Sequence, residues 1–372
     1  MANVFDKAAE LGIVPVLSIP DVSHAVPLVK GLAKGGLPLI EVMFRTDAAL
    51  DSIREIAEKC PEICVGAGTV VTIEQADAAM AAGAKFLVSP GFDPELVKHC
   101  VEKGYDILPG IATPTEIQNA VKFGLKYLKF FPAPTGGGTE ALDMFSGPYP
   151  GVKFVVTGGM GADTIAEYLD VPCVAAVGGT FPAPMKMILD DDTDGIAEVT
   201  RRAVAEVFGF RIAHIGINSE NEAEAKKTAE TLARIFGLEV IPHDPCYFAG
   251  SLVEVMKGQG RGRLGHIAIG TRDIVRAAKY VERAGIALDW ENAKYYPDGS
   301  LMCVFFRDDI AGFAFHLLAG PQKPKSDRLL RGGCPVLPKN IRENVRVASP
   351  GVFRHNKRKV RRLSLTRKLR DL

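Results

Sequence analysis

The chain has no apolar run approaching the roughly 18–20 residues of a membrane-spanning helix. Its opening, MANVFDKAAE, lacks the pattern of a secretory leader. Neither a membrane protein nor a secreted one is expected. The seven cysteines include no CxxC pair, which points away from a disulfide framework and toward free thiols in a reducing cytoplasm. Net charge is also nearly absent, at +1, but the balance hides an asymmetry. Residues 322–372 hold 16 lysines and arginines against 3 acidic residues, leaving 29 basic and 41 acidic residues elsewhere. An acidic body excludes nucleic acid as its expected partner.

What is present is periodic. Between about residues 12 and 180, short apolar segments recur: GIVPVLSI, LPLIEVMF, ICVGAGTV, KFLVSPG, DILPGI, YLKFFPA, VKFVVTGG and CVAAVGG. Amphipathic helical patterns such as DAALDSIREIAEKC and TIEQADAAMAAGA lie between most of them. Near-continuous apolar strands alternating with helices predict a parallel sheet buried on both faces. Eight such units predict an α/β (β/α)8 barrel over residues 1–208, with a doubly wound open sheet as the alternative.

A different pattern follows and occurs twice. RIAHIGI (211–217) matches RLGHIAI (263–269), with 52 residues between His214 and His266. Each copy precedes one helical pattern and three short β-like segments. Residues 210–320 therefore read as a tandem βαβββ duplication whose copies close one core. After Gly320 the periodicity stops, and residues 321–372 read as a basic, disordered tail. A contact with nucleic acid or an anionic surface, or a cloning or reading-frame scar, are the other readings of that segment.

One residue in the barrel pattern is out of place. YLKFFPA carries a lysine in an apolar strand, where desolvation disfavours an ammonium. Alternation sets Lys129 on the face opposite Leu128 and Phe130. An unprotonated lysine near the C-terminal rim of a barrel is a nucleophile that forms a Schiff base with a carbonyl. The alternative is a lysine paired structurally with a carboxylate. Glu41 interrupts another apolar strand and suits a general acid or base. Alternation places Glu41, Met43 and Arg45 on one face, and Arg45 suits a carboxylate or phosphate. A purely structural Glu41–Arg45 or Glu41–Lys129 ion pair is the alternative. Thr69 brings a hydroxyl to the end of the third strand. Thr157-Gly158-Gly159 and Gly178-Gly179-Thr180 end the seventh and eighth strands, where glycine pairs let backbone N–H groups approach phosphate. These groups predict a Schiff-base aldolase for a phosphorylated 2-keto acid.

IVPVL, IEVMFRT, GAGTV, SPG, PGI, LKFFPA, TGG and VGGT, in this order, resemble the 2-keto-3-deoxy-6-phosphogluconate/4-hydroxy-2-oxoglutarate aldolase family over about residues 5–208. The resemblance implies Lys129 as the Schiff-base lysine and Glu41 as acid/base. It implies keto-acid contacts at Arg45, Thr69, Pro90 and Lys129. The phosphate cup falls on Thr157, Gly158, Gly159, Gly178, Gly179 and Thr180. It further implies a homotrimer, a small 2-keto acid as substrate and no metal cofactor. Some relatives carry Arg where this chain has Ser18, which leaves the preferred aldehyde open.

The tandem half-repeats resemble the vicinal oxygen chelate superfamily, which includes glyoxalase I. By that resemblance the metal ligands fall on His214, Glu254, His266 and His316, a set suited to Zn²⁺, Ni²⁺, Fe²⁺ or Mn²⁺. His316 departs from the glutamate frequent at the last position. The other readings are core histidines matched only by duplication, and a noncatalytic binding or assembly module. His243, in IPHDP, lies off the ligand pattern.

Overall fold

The computed structural model describes residues 3–320. The basic segment 321–372 lies outside the described residues. From Ile13 to Gly179 run β1 (Ile13–Leu17), β2 (Leu39–Met43), β3 (Cys64–Gly68), β4 (Leu87–Val88), β5 (Ile107–Leu108), β6 (Gly110–Ile111), β7 (Tyr127–Phe130), β8 (Lys153–Thr157) and β9 (Val174–Gly179). They form one parallel sheet in the order β5-β4-β3-β2-β1-β9-β8-β7-β6. Its two terminal strands, β5 and β6, are consecutive pieces of DILPGI, separated by Pro109. Proline removes a ladder N–H and interrupts the strand. Its carbonyl still accepts from the Lys129 backbone N–H at 2.9 Å. The ends therefore meet, and the sheet closes as a (β/α)8-type barrel whose fifth strand is broken.

The barrel helices are α1 (Val4–Leu11), α2 (Ala25–Lys34), α3 (Ala49–Lys59), α4 (Ile73–Ala81), α5 (Pro94–Lys103), α6 (Pro114–Lys122), α7 (Gly138–Ser146), α8 (Ile165–Leu169), α9 (Met185–Leu189) and α10 (Thr193–Phe208). Strands β1, β2 and β3 are buried at every residue, as strands covered on both faces must be. α1 closes the N-terminal end of the barrel. Asn3 caps it by accepting from Phe5 N–H, and Gly12 ends it in a left-handed conformation. Its Phe5 and Ala8 line a small apolar cavity together with Val14, Leu39, Phe86 and Leu108; Glu41 also borders this cavity.

A second sheet follows: β10 (Arg211–Ile217), β11 (Val240–Pro242), β12 (Cys246–Ala249), β13 (Val253–Met256), β14 (Gly265–Thr271), β15 (Lys294–Tyr295), β16 (Leu301–Phe305) and β17 (Phe313–Ala319). Helices α11 (Glu222–Phe236) and α12 (Ile274–Arg283) follow β10 and β14. The strand order is β11-β12-β13-β10-β14-β17-β16-β15. Each half runs outward from a central antiparallel pair, β10 and β14, which each lie parallel to the last strand of their own half. The duplication seen in sequence is thus a pseudo-twofold arrangement about that pair.

The two sheets are joined by a buried hydrogen bond and ring contact and by exposed ion pairs. Thr271 Oγ1 donates to the Phe208 carbonyl at 2.9 Å, and the Phe208 and Tyr280 rings stand 4.5 Å apart. Lys279 and Arg283 of α12 both reach Glu10 of α1, and Arg276 donates to the carbonyl of Ala175 in β9.

Candidate active site and candidate metal centre

Lys129 and Glu41 meet inside the barrel. Lys129 stands in β7 between Gly110 and Val155, and Glu41 in β2 between Val16 and Gly66. Lys129 is 7% exposed and Glu41 1%, so bulk water solvates neither charge. Lys129 Nζ lies 3.5 Å from Glu41 Oε1, longer than an ordinary hydrogen bond. The Phe131 ring stands 5.4 Å from the same nitrogen. A buried ion pair is a weak source of stability, because desolvation offsets the attraction. An amine and a carboxylate this close and this buried are a pair whose chemistry can supply a nucleophile and a proton carrier.

The rim groups lie at the C-terminal ends of the strands. β2 stops at Met43, so the alternation expected through Arg45 does not hold. The Arg45 N–H turns back to the Met43 carbonyl at 2.8 Å, and its side chain is exposed at the mouth. Of the two ion pairs open to Glu41 from sequence, the structure forms the one with Lys129. Thr69, half-buried, follows β3 with φ 60, a left-handed conformation that costs a β-branched residue of order 1–3 kcal/mol. Pro90 is exposed after β4. Ser18 is half-buried after β1. Thr157, at the end of β8, is 4% exposed, and its Oγ1 has no hydrogen-bond partner among the described residues. Beside it Gly158 and Gly159 take φ 102 and 78, conformations that favour glycine. Gly178 pairs with Thr157 across the β8–β9 ladder. A Cβ on Gly178 would lie 2.7 Å from Thr157 Cγ2. Gly179 and the exposed Thr180 follow.

In the second sheet the four sequence-identified residues converge. His214 of β10, His266 of β14 and His316 of β17 present nitrogens all within 4.8 Å of one another. His266 Nε2 lies 3.3 Å from His214 Nε2 and 3.0 Å from Glu254 Oε2, and His214 Nε2 lies 3.2 Å from the same carboxylate oxygen. Glu254 joins the group through His214 and His266. Separations of 3.0–3.3 Å suit neighbouring donors around one ion held at about 2.1 Å. Burial opposes ionisation of Glu254, but hydrogen bonds from His214, His266 and Cys246 hold its carboxyl well below the usual range. Burial, with the charges of His266 and His214, pushes His316 down to about 3. Its Nδ1 is buried with no partner among the described residues. An ionised carboxylate, a His316 imidazole held neutral and its orphaned ring nitrogen fit a divalent metal. His243 stands apart, stacked edge-on to Phe248.

Sequence reasoning missed the walls of this centre. Phe248 faces His214 at 5.7 Å, and Phe305 stacks on His316 at 4.5 Å. They are equivalent positions, Phe248 opposite Glu254 and Phe305 opposite His316 on the last strand of each half. The repeated triplets CYF (246–248) and CVF (303–305) carried the signal. Burial and the Glu254 hydrogen bond push the Cys246 thiol up to about 12.

Comparison with known proteins adds the family. A model of the KDPG and KHG aldolase family matches residues 4–199. The 2-dehydro-3-deoxy-phosphogluconate aldolase of Treponema pallidum (strain Nichols) is 41% identical over 204 residues, 55% of this chain and 97% of that protein. The KHG/KDPG aldolase of Escherichia coli (strain K12) is 40% identical over 192 residues, 52% of this chain and 90% of that protein. Among solved structures, the KDPG aldolase from Legionella pneumophila, with pyruvate captured as a covalent carbinolamine intermediate, superposes with TM-score 0.52 at 34% identity. It covers 53% of this chain and 97% of its own. The family match ends before the second sheet begins. With the lysine and glutamate meeting inside a barrel that the match spans almost entirely, the chain belongs to the KDPG and KHG aldolase family.

Proposed function

We propose that the chain is a class I aldolase that cleaves 2-keto-3-deoxy-6-phosphogluconate to pyruvate and glyceraldehyde 3-phosphate, and 4-hydroxy-2-oxoglutarate to pyruvate and glyoxylate. The observation that carries this reading is the buried Lys129–Glu41 pair, 3.5 Å apart. The Lys129 amine adds to the keto carbon, and loss of water gives an iminium. The substrate C4 hydroxyl loses its proton, the C3–C4 bond breaks toward the iminium, and the aldehyde leaves. The resulting enamine takes a proton at C3, and water releases pyruvate and the free amine. Glu41 is the proton carrier. Arg45, Thr69 and Pro90 border the mouth where the substrate carboxylate would lie. The unpartnered Thr157 hydroxyl and the neighbouring glycines support phosphate binding at the far end. Borohydride with pyruvate should label Lys129; equal labelling of Lys129→Ala removes the imine assignment.

On this reading residues 1–208 form the aldolase domain and 210–320 a glyoxalase-like module, and the chain works in the cytoplasm as a homotrimer. The buried thiols Cys60, Cys64, Cys100, Cys246 and Cys303 suit a reducing compartment. Light scattering of the purified chain tests the trimer.

A second reading rests on the convergence of His214, His266, His316 and Glu254. We infer that they hold a divalent metal such as Zn²⁺, Ni²⁺, Fe²⁺ or Mn²⁺. Such an ion supplies Lewis acidity toward an oxygen ligand, for an isomerase, lyase or dioxygenase activity. Without a metal the module is a ligand-binding or assembly domain. Metal analysis of the purified chain and of His266→Ala separates these: stoichiometric metal lost in the variant supports the centre.

A further inference from the structure

Gly68, the last residue of β3, sits against the carboxylate of Glu41. A Cβ built on it would lie 2.2 Å from Glu41 Oε1, 2.6 Å from Cγ and 2.7 Å from Cδ. The backbone gives no reason for glycine here. Gly68 lies in a regular strand outside the left-handed region. The next residue does adopt φ 60, and it is a threonine. Glycine and backbone strain thus occupy adjacent positions, and the glycine stands where it is sterically needed rather than where conformational freedom is.

We infer that Gly68 is a positioning residue for the acid/base step: its missing side chain is the space in which the Glu41 carboxylate is held toward Lys129. This rests on the aldolase reading above. The carboxylate has few other places to go. Glu41 is 1% exposed, and Lys129 Nζ is already 3.5 Å away. Glu41 also borders the apolar cavity lined by Phe86, Val88 and Leu108. A methyl group at position 68 would crowd the carboxylate against the lysine or turn it toward that cavity, whose other walls are apolar side chains. Either displacement spoils proton transfer, which needs heavy atoms within about 3 Å along a defined line. Imine formation also needs a proton, to expel the carbinolamine hydroxyl as water, but borohydride trapping reads how much imine accumulates rather than how fast it forms, whereas methyl exchange reads the rate of proton transfer at C3.

The test separates the two steps in the full chain. Borohydride trapping with pyruvate reports the imine, and deuterium exchange at the pyruvate methyl group reports proton transfer at C3. Gly68→Ala should still be trapped by borohydride, while methyl exchange falls by about 10²-fold, the scale of a lost general base. Combining Gly68→Ala with Glu41→Asp, which shortens the carboxylate arm, should raise exchange above that of Gly68→Ala alone. Wild-type exchange in Gly68→Ala would overturn the inference. So would parallel loss of trapping and exchange with a lowered melting temperature, since that marks a packing residue. Undiminished exchange in Glu41→Gln would instead remove the acid/base reading on which the inference rests.

Discussion

Gly216 of β10 lies directly opposite His266 of β14 in the antiparallel register, and a Cβ on it would stand 2.0 Å from His266 Cε1. The imidazole fills the gap left by the absent side chain, which fixes its ring between His214 and Glu254. Gly216→Ala is expected to turn His266 out of the set and weaken metal binding by about 10–100-fold, the range for lost ligand support. Competition with a chromogenic chelator measures it, and unchanged affinity would show that the ring is held by other contacts.

Removing the carboxylate of the barrel pair should slow chemistry more than capture. Glu41→Gln is expected to retain borohydride trapping at Lys129 while retro-aldol turnover drops by about 10²–10⁴-fold. Single-turnover assays with each keto acid check this. Equal turnover in the variant would assign the proton to another group.

Acid should act on the second sheet through His316. Its folded value is pushed down to about 3 by burial and by His266 and His214, below an unfolded value of about 6.5. The unfolded state therefore binds the proton first. Stability contributed by neutral His316 is complete above about pH 6.5 and is lost as pH falls toward 3, by up to about 1.4 kcal/mol per pH unit. In metal-free protein, His316→Asn should flatten this part of the pH–stability curve. An identical slope in the variant would place the acid sensitivity elsewhere.

The junction between the sheets should unfold with both. Phe208 is 1% exposed, stacks on Phe210 and Tyr280, and offers its carbonyl to Thr271 and Arg272. Phe208→Ala should cost about 3–5 kcal/mol. Calorimetry should then show the barrel and the second sheet melting separately. A single transition shifted as a whole would mean that the other contacts suffice to couple them.

The strand–helix alternation made the barrel legible because a parallel sheet covered on both faces needs apolar strands throughout. Lys129 and Glu41 stood out because a charge in such a strand breaks that pattern. The histidine pair was legible through the 52-residue repeat. Three-dimensional neighbours account for what was not. The GAGT and HIGI motifs do not reveal that Gly68 clears space for Glu41 or Gly216 for His266, since both relations cross between strands. Arg45 was assigned to a strand face because alternation has no marker for the turn after Met43. The break at Pro109 could be anticipated from the residue, but the carbonyl bond to Lys129 that bridges it could not.

The helix α1 has one side in the barrel floor, through Phe5 and Ala8, and offers Glu10 to Lys279 and Arg283 of α12 on the other. The first helix of the chain is therefore a keystone shared by two substructures, joined through Glu10 and Lys279, which lie 269 residues apart in sequence. A separation at Gly209 would leave that keystone with its outer carboxylate unmatched and would strip the cover from Phe208. Part of the outer surface of the aldolase half is consequently an interior seam of the whole protein, with Glu10 and Phe208 both committed to the second sheet's side.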